Sequence, residues 1–545
     1  MHETIDVLKE WITKIATAIE KNENIDLFDS TNFLQEPQFA LHLISLIEAI
    51  DEQELDDIRF YYSSCIFALD SCIAQLQAAS EEGNKLAAKT LDQLMSQIAK
   101  AINHNKHSLS YWLPILNAFY EVHVELSEEL KQAYFALANN EDIGEDDEVT
   151  HLNSIRDLIQ ELNGLSVFEI AENFFAQSYA MPADFFADLV VDLYNILEGQ
   201  EIALLALLHP QKEVRDIVVG AFDQLINNIT LSSQSLNRLD VIKYWYPDNA
   251  QNHFNYWIKT QRKKGVLFLN QQPAEAKIHI KASEIDGSGA QGILIHIQKG
   301  KQNRVCGLLY KHNFGIKDAW ITPVINGQDV ERYYKQSFDD SVALRIVDTS
   351  YLLMMTNHFL ALTINNGNVP NLYLLEIQEE LGLQFTPNKI QLTSLIEELS
   401  IQIAPFTEEI IHIALQKTKH WPKKKRFTES WYLENSRIDK IVNQYSNFVD
   451  GVKICRFEET ISAILTHELE LNRDYWLFHF LWVALWLKAK SRSTNKVWQD
   501  SFLIAYAIHS GVPLIQIPIM HHICYQSILN SIETMQERRT HLTQP

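Results

Sequence analysis

The chain has 545 residues, 46% of them hydrophobic and 21% charged, with only 17 Gly and 14 Pro. That length is several times what one core supports, and that composition leaves little room for linkers or low-complexity tracts, so several ordered domains or an extended helical array are expected. A formal charge of −24 excludes tight, non-specific binding of nucleic acid or an anionic membrane by the whole surface, because neutralising phosphates needs clustered cations.

Residues 1–238 read as one helix after another. Leu8, Trp11, Ile12, Ile15 and Ile19 recur at three- and four-residue steps, as do Ile58, Tyr61, Cys65, Leu69, Cys72 and Leu76, which lays each set on one face of a 3.6-residue period. Pro37, Pro182 and Pro210 stand where helices stop or start. The acidic run Asn139–Val149 crowds carboxylates around Gly144, but a calcium-loop alignment puts Ile143 where an oxygen ligand belongs, so a solvated linker is expected. In LLALLHPQKEVRDIVVGAFDQLI, an apolar helix and a turn at Pro210 precede Val214 and Arg215, with Val218, Ala221, Phe222 and Leu225 on one face. This unit, near residues 202–226, resembles a HEAT repeat, and the resemblance implies a curved helical scaffold that binds other macromolecules.

The middle of the chain differs in charge and in period. Between Asp240 and Arg345 stand 15 Lys and Arg against 10 Asp and Glu. In Lys243–Gly265, Trp245, Tyr246, Phe254, Tyr256 and Trp257 are interleaved with Lys259, Arg262, Lys263 and Lys264, the mixture that stacks on bases and neutralises phosphates. The more economical reading packs the aromatics under a neighbouring sheet and leaves the basic end solvated. From Lys277 the period changes to 2: Ile278 and Ile280 alternate with polar residues, as do Ile293, Ile295 and Ile297, and VCGLLYK and AWITPVI follow, so an antiparallel meander is predicted.

Gly287-Ser-Gly-Ala-Gln-Gly292 is a literal GxGxxG, but a strand follows it where a dinucleotide site needs a helix. A kinase-type glycine hairpin with Lys311 on the phosphates needs a catalytic loop and a metal-holding Asp; the nearest DFG-like triplet, Asn313-Phe314-Gly315, lacks that Asp. An ordinary turn at Asp286-Gly287 accounts for the same residues.

From about residue 349 helices resume, with Trp476, Trp482, Trp486 and Trp498 promising a dense aromatic core. Tyr475–Leu487 is apolar over about 13 residues against the roughly 20 of a spanning helix and contains His479, so a buried helix is predicted and no membrane span. His467-Glu468 has Leu471 where a zinc-protease helix needs its second His; His521, His522 and Cys524 lack a complementary pair of ligands; the adjacent carboxylates Asp339-Asp340, Glu408-Glu409 and Glu458-Glu459 diverge. HWPKKKR, His420–Arg426, reads as an exposed basic loop. Neither a GxSxG elbow nor a GxxxxGK[ST] loop occurs, so no cofactor and no metal are expected. Five scattered cysteines without a CxxC pair and an N-terminus unlike a secretory signal fit a cytoplasmic protein.

The expected fold is mainly α: an N-terminal helical array over 1–238, an α+β segment with an antiparallel meander over 239–348, and a C-terminal helical domain over 349–545. The expected function is a non-enzymatic scaffold whose acidic helical face binds a protein partner. The alternatives are a nucleic-acid or phosphate-ligand module seated on Trp245, Trp257, Arg262, Lys263, Lys264 and Lys311, which the net charge disfavours, and an enzyme for which the sequence names no catalytic residue.

Overall fold

A computed structural model describes residues 2–21, 38–81, 83–104, 106–141, 148–269, 276–337, 342–449, 452–489 and 497–543. Much of the run Asn139–Val149, the pair Asp339-Asp340 and the break at Pro37 lie outside the described residues. The chain divides into two compact units, one of Met1–Ala206, Glu213–Ala221 and Arg538–Pro545, the other of Leu207–Lys212 and Phe222–Glu537. The expected boundary at residue 348 falls inside the second unit.

The first unit is built from helices: α1 (His2–Glu20), α2 (Gln38–Glu48), α3 (Leu55–Glu81), α4 (Lys85–Asn103), α5 (Leu109–Glu121), α6 (Glu128–Glu141), α7 (Glu148–Glu161), α8 (Val167–Gln177), α9 (Ala183–Asn195) and α10 (Gln200–Leu205), while α11 (Lys212–Leu225) lies across the division. The predicted stripes are its core: Leu8, Ile12 and Ile15 of α1, and Cys65, Leu69, Cys72 and Leu76 of α3, are buried. Side chains close the helix starts. Asn84 accepts the Leu86 and Ala87 N–H groups ahead of α4, and Ser166 and Glu169 form a reciprocal capping box at α8.

In the second unit α12 (Ser233–Ile242) and α13 (Gln251–Lys263) precede the sheet, and α14 (Asp329–Ser337), α15 (Thr349–Asn365), α16 (Tyr373–Leu381), α17 (Leu392–Ile401), α18 (Glu408–Lys417), α19 (Trp421–Lys424), α20 (Ser436–Gln444), α21 (Phe457–Ile464), α22 (Arg473–Lys488) and α23 (Val497–His509) follow, while α24 (Pro518–Thr543) lies across the division. The predicted meander is β1 (Lys277–Ser283), β2 (Ala290–Lys299), β3 (Gln302–Lys311) and β4 (Gly315–Ile321); the short β5 (Leu344–Val347) adds to β1, giving the all-antiparallel order β4-β3-β2-β1-β5. Two short antiparallel strands, β6 (Ser446–Val449) and β7 (Val452–Cys455), stand in the C-terminal part, which the sequence reads as a helical domain.

Both faces of the sheet are covered. On one, the cross-strand rows Ile280–Ile295–Cys306 and Ala282–Ile293–Leu308–Ala319 are buried. The C-terminal part reaches this face through tryptophans: Trp486 of α22 donates to the Ala282 carbonyl at 3.3 Å, and Trp431, in the loop before α20, to the Ile285 carbonyl at 2.8 Å. The Trp482 indole N–H lies 3.1 Å from both Gln291 Oε1 and the Tyr351 hydroxyl, Tyr351 donates to Gln291 Oε1 at 2.7 Å, and Gln291 Nε2 donates to the Ser283 carbonyl at 2.8 Å. A fully paired polar knot therefore ties β2, α15 and α22 together inside an apolar layer. On the opposite face Leu294, Val305 and Val330 form a second cluster with Trp320, Tyr333 and Tyr334, and Trp320 lies so closely over Gly307 that a Cβ there would sit 2.2 Å from its ring. From Trp476 to Leu487, α22 is buried on every side, as expected of a central helix. Among the described residues no helix is long and apolar enough to cross a membrane.

Candidate functional site

The basic segment resolves into an inner and an outer half. Phe254, Trp257 and Gln261 follow helical spacing, so α13 turns them inward together. The Trp257 indole packs against Phe222 and Phe254, with centroids 4.8 and 4.7 Å away, and donates to Asp223 Oδ1 at 2.6 Å; Trp245 donates to the Phe385 carbonyl at 3.3 Å. Both indoles are fully buried, so neither offers a face to a nucleobase. Trp257 thus packs on Phe222 of α11 and Phe254, and Trp245 bonds the Phe385 backbone, rather than lying under the sheet.

Gln261 and Lys264 close the end of α11. Gln261 Nε2 donates to the Ile226 and Ile229 carbonyls at 3.0 and 3.1 Å, and Lys264 Nζ donates to those of Ile226 and Asn227 at 3.1 and 2.8 Å and to that of Ile229. Cations belong there, where the dipole is negative and carbonyls lack helical partners. The predicted phosphate-binding Lys264 is thus engaged within the fold. Arg262 and Lys263 remain exposed, with the Arg262 guanidinium 5.1 Å over Phe268. Lys311 is carried by a different element, at the end of β3 in register with Ala290.

The glycine motif is a packed turn. A Cβ on Gly287 would come within 2.2 Å of the Tyr432 carbonyl oxygen, and Gly289, at φ +72°, within 2.8 Å of the Tyr475 hydroxyl, which itself donates to the Gly287 carbonyl at 2.8 Å. These glycines let the turn approach protein backbone and a tyrosine.

Beside this turn lies a grouping with no local sequence signature. His312 follows β3, His358 lies on α15 and His479 on α22; Phe478 flanks the first two with ring centroids 4.9 Å from each, and Trp431 lies 4.9 Å from His479. Burial, aided by the Lys389 ammonium, lowers His312 and His358 to about 4, and burial holds His479 at about 3. All three are neutral at pH 7. The Ile390 N–H donates to His358 Nδ1 at 3.1 Å, which fixes the tautomer and leaves Nε2 as the proton-bearing nitrogen. That Nε2, His312 Nδ1 and both nitrogens of His479 are buried without a partner. The one signal in the sequence was His479 itself, an ionisable residue inside an apolar helix.

Elsewhere the structure disperses the candidates. His521 donates to the Ile515 carbonyl at 2.6 Å, Cys524 is buried with its thiol pushed up by desolvation, and burial lowers His522. Among the described residues no group of three or more His, Cys, Asp or Glu is placed to hold a metal ion. Cys65 and Cys72 are pushed up to about 12 by burial, which makes them packing residues rather than nucleophiles.

Two family models match parts of the chain: the Y4lR second domain over residues 182–265 and the Y4lR C-terminal helical domain over residues 393–532. The first stretch holds α11–α13 with their buried tryptophans; the second holds α22 with His479. The uncharacterized protein y4lR of Sinorhizobium fredii (strain NBRC 101917 / NGR234) is 26% identical over 336 residues, which is 60% of this chain and 62% of that protein. The similarity thus spans less than two thirds of the relative's own length. No solved structure matches. What the chain is similar to, then, is the Y4lR architecture in two separate helical stretches, with the central sheet between them.

Proposed function

We propose that this is a non-enzymatic interaction protein whose acidic N-terminal helices bind a basic surface on a protein partner. The observation that carries this reading is charge segregation. Residues 1–206 hold 37 Asp and Glu against 10 Lys and Arg, whereas the other 339 residues hold 33 against 36. Ten cations cannot neutralise 37 carboxylates, so this segment has a strongly negative field that would steer a cationic partner. Glu125, Glu128, Glu129, Asp157, Glu161, Asp184 and Asp188 are solvent-exposed. The HEAT-like unit of the sequence near residues 202–226 points the same way, and segregated charge is the kind of surface by which scaffolds select partners.

The test is affinity capture with the full chain at 0.15 and 0.5 M salt, with and without nuclease. Two variants are compared: one carrying Glu128→Gln, Glu129→Gln, Asp184→Asn and Asp188→Asn together, the other Arg262→Ala with Lys263→Ala. Capture that resists nuclease and the cation change, and weakens with salt and with carboxylate neutralisation, supports the proposal. Capture lost on nuclease treatment or on the Arg262/Lys263 change would favour nucleic-acid binding instead.

A further inference from the structure

We propose that His312, His358 and Lys389 form a binding site for the oxyanion group of a small molecule, a carboxylate or a phosphate. Three observations converge. His358 is 3% exposed, and its Nε2 carries a proton, since Nδ1 is occupied by the Ile390 N–H; that proton points to no acceptor. A buried donor left unpaired is unfavourable, and an anionic oxygen is the partner that would recover most. His312 Nδ1 is likewise buried and unpaired, and the two rings share Phe478 as a neighbour at 4.9 Å.

Lys389 directly precedes Ile390, whose N–H bonds His358 Nδ1, and its ammonium acts on both rings. Structural histidines in a packed core are ordinarily matched by a carbonyl or a carboxylate. Here His358 Nε2–H is an unmatched donor on a ring that the Lys389 ammonium also acts on, which is complementary to a negative oxygen. Lys389 is exposed, His312 half-buried and His358 buried. The Phe478 and Tyr475 rings that flank His312 supply an apolar wall for the remainder of such a ligand.

The experiment is calorimetric titration of the full chain with inorganic phosphate and, separately, with acetate, at pH 7.5 and constant ionic strength set by chloride. The same titrations are run on Lys389→Gln, which alters only an exposed side chain, and on His358→Gln. Saturable binding of either anion, at least tenfold weaker in Lys389→Gln, is the expected result, and which anion saturates distinguishes phosphate from carboxylate chemistry. Histidine resonances report independently: the bound anion should raise the midpoints of His312 and His358 and leave His521 unmoved. Absence of saturation by both anions up to about 10 mM, or equal binding by the parent chain and Lys389→Gln, overturns the proposal.

Discussion

Replacing Gln291 with leucine tests whether the polar knot between sheet and helices holds the second unit together. The substitution keeps the size of the side chain but removes an acceptor and a donor. Tyr351 then loses the oxygen to which it donates at 2.7 Å, and the Ser283 carbonyl loses the amide at 2.8 Å; Trp482 keeps the Tyr351 hydroxyl at 3.1 Å. Two buried groups are orphaned at about 1–3 kcal/mol each, so the expected loss is about 3 kcal/mol. Tyr351→Phe alone leaves the Trp482 N–H its Gln291 acceptor and should cost about 1–2 kcal/mol, whereas in the Gln291→Leu background it takes away the last acceptor of that N–H. The double-mutant cycle should therefore show coupling of about 1–2 kcal/mol, read from urea midpoints followed by tryptophan fluorescence at unchanged slope. Additivity within about 0.5 kcal/mol would refute the knot as a connected unit.

Acid should destabilise the second unit. Because His312, His358 and His479 are held near 4, 4 and 3, the unfolded chain binds their protons first, so stability is full above the ordinary histidine pKa and falls as pH drops from about 6.5 towards 4. His479→Phe should recover about 2 kcal/mol of that loss at pH 5, measured as a smaller difference between urea midpoints at pH 5 and pH 8. Asp70 behaves oppositely: burial, then Glu121, raises it to about 7, so the folded state holds a proton that it gives up as pH rises. Asp70→Asn should accordingly stabilise the first unit at pH 8 by on the order of 2–4 kcal/mol and leave it unchanged near pH 4, a difference visible in thermal melts. Lys264→Met should cost about 1–2 kcal/mol through the uncapped α11 carbonyls, whereas Arg262→Ala should change stability by less than about 0.5 kcal/mol; equal effects in denaturation would contradict the assigned cap. Gly287→Ala should lower the thermal midpoint sharply, because the backbone oxygen of Tyr432 cannot yield the 2.2 Å contact.

What the sequence disclosed follows from the range of each signal. Helical stripes such as Cys65–Leu69–Cys72–Leu76 and the alternation around Ile293–Ile297 are local, so the mainly helical fold and the meander were legible from them. Strand β5 was not, because Leu344–Val347 owes its pairing to β1 more than 60 residues earlier in the chain, and β6–β7 are too short to leave a period. The composition of Lys243–Gly265 raised a binding site that geometry divides, since an indole in a core and an indole on a base are the same letter. The histidines at 312, 358 and 479 are neighbours only after three elements pack, so no spacing announces them.

The layered arrangement of the second unit also has a consequence for biosynthesis. Strands β1–β4 are complete by Ile321, but the helix whose Trp486 reaches Ala282 across 204 residues leaves the ribosome last among those partners. At about 5–20 residues per second, the apolar face of the newly formed meander waits roughly 10–30 s for its cover. A nascent chain halted between β4 and α22 would display a bare, edge-containing apolar sheet to other nascent chains. Chaperone occupancy should therefore peak while residues 321–488 are being made, and a fragment ending near residue 348 should aggregate rather than fold.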